Sequence, residues 1–401
     1  MFTQAKKHGI VLLIVSLLLV TLTGCGGSKS DATKDGAKEA AKEDNKEPIK
    51  IGVIAPLTGG SADMGVPVER SARLAFDEIN AAGGINGHKV ELVVVDDEAD
   101  PAKGATSATR LIERDNVVAI LGPSNTAVAL SVVKVTQENK IPEIIPIAQT
   151  PKIMQPINPF TFRATETFID DAQAIVNYMK ESGFKRPAIL YDSTASGLGG
   201  REAITPMVQK AGIPFVAEAT HDVGAKDYSG QIVTIKKANP DVIITWSLGP
   251  EVAQFMKGVR SSGWNVPVIG HRGLAFPVLI ELGGSAVEGM VLSDAIDETK
   301  PNTKEFLDKY EKAYNVRPDQ NAFAALAYDG AQVLIEALKK ANEYTPAAIR
   351  DAIESIDRYE PVAGKQGSYI SFAPDKHEGP TGDFVVMREV KGGKYVTYIK
   401  K

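Results

Sequence analysis

The chain of 401 residues is 43% hydrophobic and 24% charged, with a formal net charge of −5 and a single cysteine. One cysteine excludes any intramolecular disulfide, and a mildly acidic body lacks the basic face that nucleic acid requires. The length suits two ordinary domains that stand on their own apolar cores.

Residues 1–24 read as a targeting segment, not as fold. Lys6 and Lys7 give a basic start, Ile10–Val20 is apolar apart from Ser16, and small residues lead to Cys25. That is the layout of a secretory signal. The apolar run is too short to cross a bilayer comfortably, which takes about 20 residues. Leu22-Thr23-Gly24-Cys25 resembles the lipobox of bacterial lipoproteins, which implies cleavage before Cys25 and acylation of that residue. The alternatives are an incidental cysteine or an uncleaved N-terminal helix. Two or more acyl chains anchor stably, because each buried methylene adds roughly 0.8 kcal/mol. Losing the leader removes Lys6 and Lys7 and no acid, which moves the net charge from −5 to −7. Residues 26–47 hold no large apolar side chain and alternate charges from Lys29 to Glu43. Such a segment cannot bury enough surface to offset its ordering entropy, so 25–47 reads as an acylated cysteine on a flexible tether. No second apolar run of membrane length follows.

The body alternates β-branched runs with amphipathic ones. Ile51–Ala55 is a strand, and Val68, Ala72, Ala75, Phe76 and Ile79 then recur at helical spacing until Gly83-Gly84. Val90–Val95 is a strand followed by a helix that starts at Pro101, a favoured first helical residue. Val117–Leu121 is a strand, 127–137 a helix, and Ile144-Ile145 a short strand. The rhythm restarts with a helix from Asp170 to Lys180, the strand 188–191, a helix from about Gly200, and strands at 215–219, 242–246 and 268–269. Repeated strand–helix units imply parallel sheets with helices on both faces. Two series imply two similar lobes. Three helices follow at 302–314, 321–341 and 346–356, then β segments at 367–372, 384–387 and 395–398, the last two forming a hairpin.

The loops offer little for catalysis. Histidines 8, 88, 221, 271 and 377 are scattered singly and read mostly as surface or loop residues, with no cysteine partner for a metal. Gly197-Leu198-Gly199-Gly200 has Glu202 where a dinucleotide loop has its third glycine, and no Gly-x-Ser-x-Gly elbow exists. The expectation is a binding protein, not an enzyme, with no cofactor and no metal. Small polar loops before helices suit ligand capture by backbone N–H groups and hydroxyls.

Several segments resemble the substrate-binding proteins of branched-chain amino-acid ABC importers. They are 50–59 (Lys-Ile-Gly-Val-Ile-Ala-Pro-Leu-Thr-Gly), 79–87, the acidic run Asp96-Asp97-Glu98-Ala99-Asp100-Pro101, Gly122-Pro123-Ser124-Asn125-Thr126, and 325–330 (Ala-Leu-Ala-Tyr-Asp-Gly), in order across 48–400. The resemblance implies a type I periplasmic-binding fold of class α/β: two doubly wound parallel-sheet lobes joined by a three-strand hinge, with a ligand cleft between them. Crossings then fall near Arg163–Thr167, Leu292–Asp297 and Phe372–Lys376. Lobe one becomes 48–165 plus 298–372, and lobe two 168–292 plus 378–401. The implied partners are a small-molecule ligand, a permease with its ATPase, and the membrane through the lipid anchor. The protein is then a monomer on the outer face of the cytoplasmic membrane or in the periplasm. A lipid-anchored sensor feeding a signalling partner is the alternative, because one fold serves both.

The same resemblance points to Thr126 with Ala127 and Ile147 with Gln149 as grips on a ligand's carboxylate and amine. Thr126 lies near a helix N-terminus, where an anion is favoured, although a plain N-cap needs the same hydroxyl. Ile147 contributes backbone only, and Gln149 can donate or accept. The family's ammonium-pairing glutamate is replaced by Arg272, which binds a carboxylate instead or forms an interlobe salt bridge. Met64 and Ser196 stand where aliphatic-amino-acid binders show tyrosine, and Trp246 floors the pocket or sits in the core. Asp192, Glu251 or Asp294 remain as negative partners. Two ligands stay open: an amino acid with a rearranged ammonium site, or an aromatic or dicarboxylic acid lacking a free amine.

Overall fold

The computed structural model describes residues 46–399. The leader, Cys25 and the tether as far as residue 45 lie outside these residues. Strands β1 (Ile49–Ala55), β2 (Val90–Asp96), β3 (Ala119–Leu121), β4 (Glu143–Ile145) and β5 (Thr161–Arg163) alternate with helices α1 (Ala62–Ala81), α2 (Pro101–Glu113) and α3 (Thr126–Glu138). They form one parallel sheet of order β2-β1-β3-β4-β5.

A second series follows: α4 (Phe168–Ser182), β6 (Pro187–Asp192), α5 (Ala195–Lys210), β7 (Ala217–His221), α6 (Ser229–Lys237), β8 (Val242–Trp246), α7 (Gly249–Ser261), β9 (Val268–Gly270), α8 (Pro277–Gly283) and β10 (Val291–Asp294). Its parallel order β7-β6-β8-β9-β10 repeats the winding of the first sheet. Helices α9 (Pro301–Tyr314), α10 (Asn321–Lys340) and α11 (Pro346–Glu354) come next, then the short pair β11 (Tyr369–Ile370) and β12 (Pro380–Thr381). The hairpin β13 (Val386–Lys391) and β14 (Lys394–Thr397) extends the second sheet in antiparallel fashion beyond β10.

Side chains decide where these pieces sit. Ile51, Val53 and Ala55 of β1 point into a core that also holds Phe306, Leu334 and Ile353, which binds α9–α11 to the first sheet. Ile54 points to the opposite face with Val128 and Val132. The second sheet is likewise covered on both faces. The chain passes between the sheets after Arg163, after Asp294 and before Val386. The third passage comes later than residues 372–376, because Phe384 still packs in the first core and its carbonyl accepts from the Lys365 N–H.

Three further sequence expectations change. Helix α5 begins at Ala195 under a Thr194 cap, so the 197–200 glycines lie inside the helix instead of opening it. Their smallness serves packing: a β-carbon at Gly200 would overlap the Trp246 indole, and one at Gly197 would overlap the Asp192 carbonyl. Helices α6, α7 and α8 add to the second lobe what apolar spacing did not single out. His221, His271 and His377 are buried instead of lying at the surface, the first two bonded to Ser247 and the third to the Thr161 carbonyl.

Several carboxyls are buried as well. Burial pushes Glu143 up to about 8, opposed by the Thr136 hydroxyl. Burial also raises Asp329 to about 7, against two backbone N–H donors, those of Val362 and Ala363. The folded chain therefore keeps protons that the unfolded chain releases above about pH 4. That stability is complete below the ordinary carboxyl pKa and is lost as pH rises through the folded values, at about 1.4 kcal/mol per pH unit for each retained proton. The melting temperature should therefore fall from pH 5 to pH 8, and Glu143→Gln should flatten the slope. A melting temperature that climbs over this range in calorimetry would refute the assignment. Gly200→Ala should destabilise by about 2 kcal/mol or more through overpacking against Trp246, visible in thermal denaturation.

Candidate functional site

The two sheets have the same winding, so each has a switch point between its central strands, where loops diverge and leave a crevice at the carboxyl ends. One cavity opens there, with a volume of about 110 Å³. At roughly 10–15 Å³ per water position, it suits a solute of eight or nine heavy atoms. The loops after β1, β3 and β4 and those after β6, β8 and β9 all reach it.

Of the sequence-selected residues, Met64, Thr126, Ala127, Ile147, Gln149, Ser196 and Arg272 line this cavity. Trp246 does not. It is fully buried behind the wall, edge-on to Phe168 and stacked on His271, and those two rings line the cavity in its place. Strand β8 is covered on both faces, so its last side chain enters the core.

Two helix N-termini, those of α3 and α5, meet here from opposite lobes. The cap of α3 is Asn125, whose Oδ1 accepts from the N–H groups of Ala127 (2.9 Å) and Val128 (3.4 Å). Thr126 is therefore not the cap, and its hydroxyl stays available. Ser124 is buried beside it with an unpartnered hydroxyl. On the other lobe Thr194 caps α5 by accepting from Ser196 and Gly197. Converging helix N-termini favour a negative group between them.

Arg272 dominates the wall. It is only 1% exposed and sits on the short 3-10 turn Arg272–Leu274 after β9. Its guanidinium donates to the Ile147 carbonyl and the Thr165 hydroxyl at 2.7 Å each, and pairs with Glu166 at 2.7 Å. Phe323 lies under its plane with the centroid 5.1 Å away. The interlobe salt bridge expected as one role of Arg272 is present, and the residue also lines the cavity. Its acid, Glu166, was not singled out by sequence. Of the acids that were, Asp192 holds Thr194, Glu251 accepts from the Gly224 N–H, and Asp294 pairs with Arg388. The charged crossing segment Thr165-Glu166-Thr167 was the one available signal for Glu166.

Behind the wall Glu166 and Asp171 share the amide of Gln149, whose Nε2 donates to Glu166 Oε1 (3.0 Å) and Asp171 Oδ2 (2.7 Å). Burial, then the Glu166 charge, pushes Asp171 up to about 8. Burial raises Glu166 too, and Arg272 opposes it. Burial and the adjacent Arg272 charge drive His271 down to about 3, so it stays neutral. Among the described residues lining the cavity, Arg272 is thus the one that carries charge. Among the described residues no group of three or more His, Cys, Asp or Glu is placed to hold a metal ion.

A family model described as periplasmic binding protein matches residues 48–394. The chain is 30% identical over 360 residues to Leu/Ile/Val-binding protein homolog 2 of Brucella abortus, covering 88% of this chain and 94% of that one. Among solved structures, the leucine binding protein LivK of Thermotoga maritima superposes with a TM-score of 0.78 at 26% identity, over 88% of this chain and 98% of that one. A periplasmic binding protein type 1 of Bordetella pertussis gives 0.80 at 28% identity, over 88% and 99%. The likeness runs through both lobes, and the chain belongs to the periplasmic binding protein family.

Proposed function

We propose that this protein is the exported solute-binding component of an ABC importer, anchored through Cys25, that captures a small carboxylate lacking a free amine and delivers it to a membrane permease. The solute-binding role itself follows from family membership. The observation that carries the ligand class is the absence of a carboxylate: among the described residues no Asp or Glu lines the cavity, and Arg272, paired with Glu166, already donates to the Ile147 carbonyl at 2.7 Å. The resemblance assigns that carbonyl to a ligand's amine. An ammonium there would share that carbonyl with the guanidinium and meet no carboxylate, whereas a solute carboxylate meets hydroxyls and two helix N-termini. Phe168, Leu248 and Phe323 supply the apolar remainder. The lobes close on the solute because it contacts both, and the closed form is what a permease receives. Interlobe contacts such as Lys152–Glu202 at 2.7 Å would assist only slightly, being exposed.

A branched-chain amino acid is the second reading, favoured by the relatives named as Leu/Ile/Val-binding and leucine binding proteins. Calorimetry with benzoate, leucine and glutamate separates the two. Benzoate should bind more tightly than either amino acid, and Arg272→Met should weaken it at least tenfold, about 1.4 kcal/mol. Leucine binding tightest, with Arg272→Met leaving benzoate unaffected, would overturn the carboxylate reading.

A further inference from the structure

Gln149 leaves β4 toward the cavity and is 5% exposed. Its two N–H donors are both committed backward, to Glu166 and to Asp171. Turning the amide would press its carbonyl against the Glu166 carboxylate, so the orientation is set by charge. The remaining polar atom, Oε1, accepts from no donor among the described residues and belongs to a side chain that lines the cavity. An acceptor held in this way can read only a donor.

Its position relative to Arg272 is also set. Glu166 Oε1 takes the Gln149 amide at 3.0 Å and the Arg272 guanidinium at 2.7 Å. Cation and amide therefore sit side by side on one carboxylate oxygen. A solute carboxylate set beside Arg272 would bring the substituent of its neighbouring carbon toward Gln149.

We propose that Gln149 is the specificity-determining residue of this site, and that the solute is a 2-hydroxy carboxylate with an apolar body, whose hydroxyl donates to Gln149 Oε1. This rests on the small-carboxylate reading. A hydroxyl fits better than an ammonium because the negative charge behind Gln149 is already matched. Glu166 is paired with Arg272, and burial favours the neutral form of Asp171. A solute without a donor would leave the Gln149 carbonyl sealed away from water and unpaired, and polar sites reject such analogues strongly.

Three acids on one skeleton test this by titration calorimetry: 2-hydroxy-4-methylpentanoate, 4-methylpentanoate and leucine. The hydroxy acid should bind at least tenfold more tightly than the deoxy acid and more tightly than leucine. Gln149→Met, of similar length but with no acceptor, should bring the hydroxy and deoxy acids to equal affinity. Circular dichroism checks that the variant folds; if it does not, the comparison in the unaltered protein still decides. Equal binding of the two acids by the unaltered protein overturns the role of Gln149 and leaves the carboxylate reading standing. Tight leucine with both other acids weak overturns the carboxylate reading and this inference with it. Binding of none of the three overturns the proposed solute.

Discussion

The arrangement of the site depends on one buried guanidinium. Arg272 stands in the second lobe, yet its partners are a carbonyl after β4 and two side chains of the crossing segment. Taking a cation and a carboxylate out of water costs several kcal/mol per ion before pairing repays it. The pair persists here because its geometry is good and the spare hydrogen-bonding capacity is used, on the Ile147 carbonyl and the Thr165 hydroxyl. Removing one member would strand the other, a loss of about 3–5 kcal/mol in comparable buried pairs. Glu166 in turn orients Gln149, so one ion pair fixes a cation and an acceptor on the same wall.

The fold supplies that ion pair with its setting. Two sheets of identical winding bring their switch points face to face, and the loops that diverge there are those following the central strands. The caps Asn125 and Thr194 take the first amides of α3 and α5. The helix fields and the nearby hydroxyls of Ser124 and Thr126 are left to act on whatever enters. Glycines inside α5 let that helix lie against Trp246, which supports Phe168 and His271 from behind. The cavity wall is thus rigid on the second lobe for reasons of packing, and polar on the first for reasons of capping.

Much of this was legible in the chain. Strand and helix spacing places nearly every element of the first lobe to within a few residues, because apolar periodicity is a property of neighbouring positions. Thr126, Ile147, Gln149, Ser196 and Arg272 were found through the resemblance and meet at one cavity. Trp246 was left open between pocket floor and core, because a strand buried on both faces gives no periodic hint of which side chain reaches a cleft. The buried histidines were misjudged because each is satisfied by a segment remote in sequence. Glu166 and Asp171 were not singled out, and apart from the place of Glu166 in the crossing segment nothing local distinguishes them from the exposed Asp170.

The sequence by itself determined the winding of two α/β lobes and the family, and it drew attention to Arg272. Tertiary structure alone decided what Arg272 pairs with, which way Gln149 turns, and that Trp246 stands behind the wall. The reason is physical. Periodicity and caps act over a few residues, whereas a charge takes its meaning from the groups within a few ångströms and from the water excluded around it, and both are set only once distant segments have packed together.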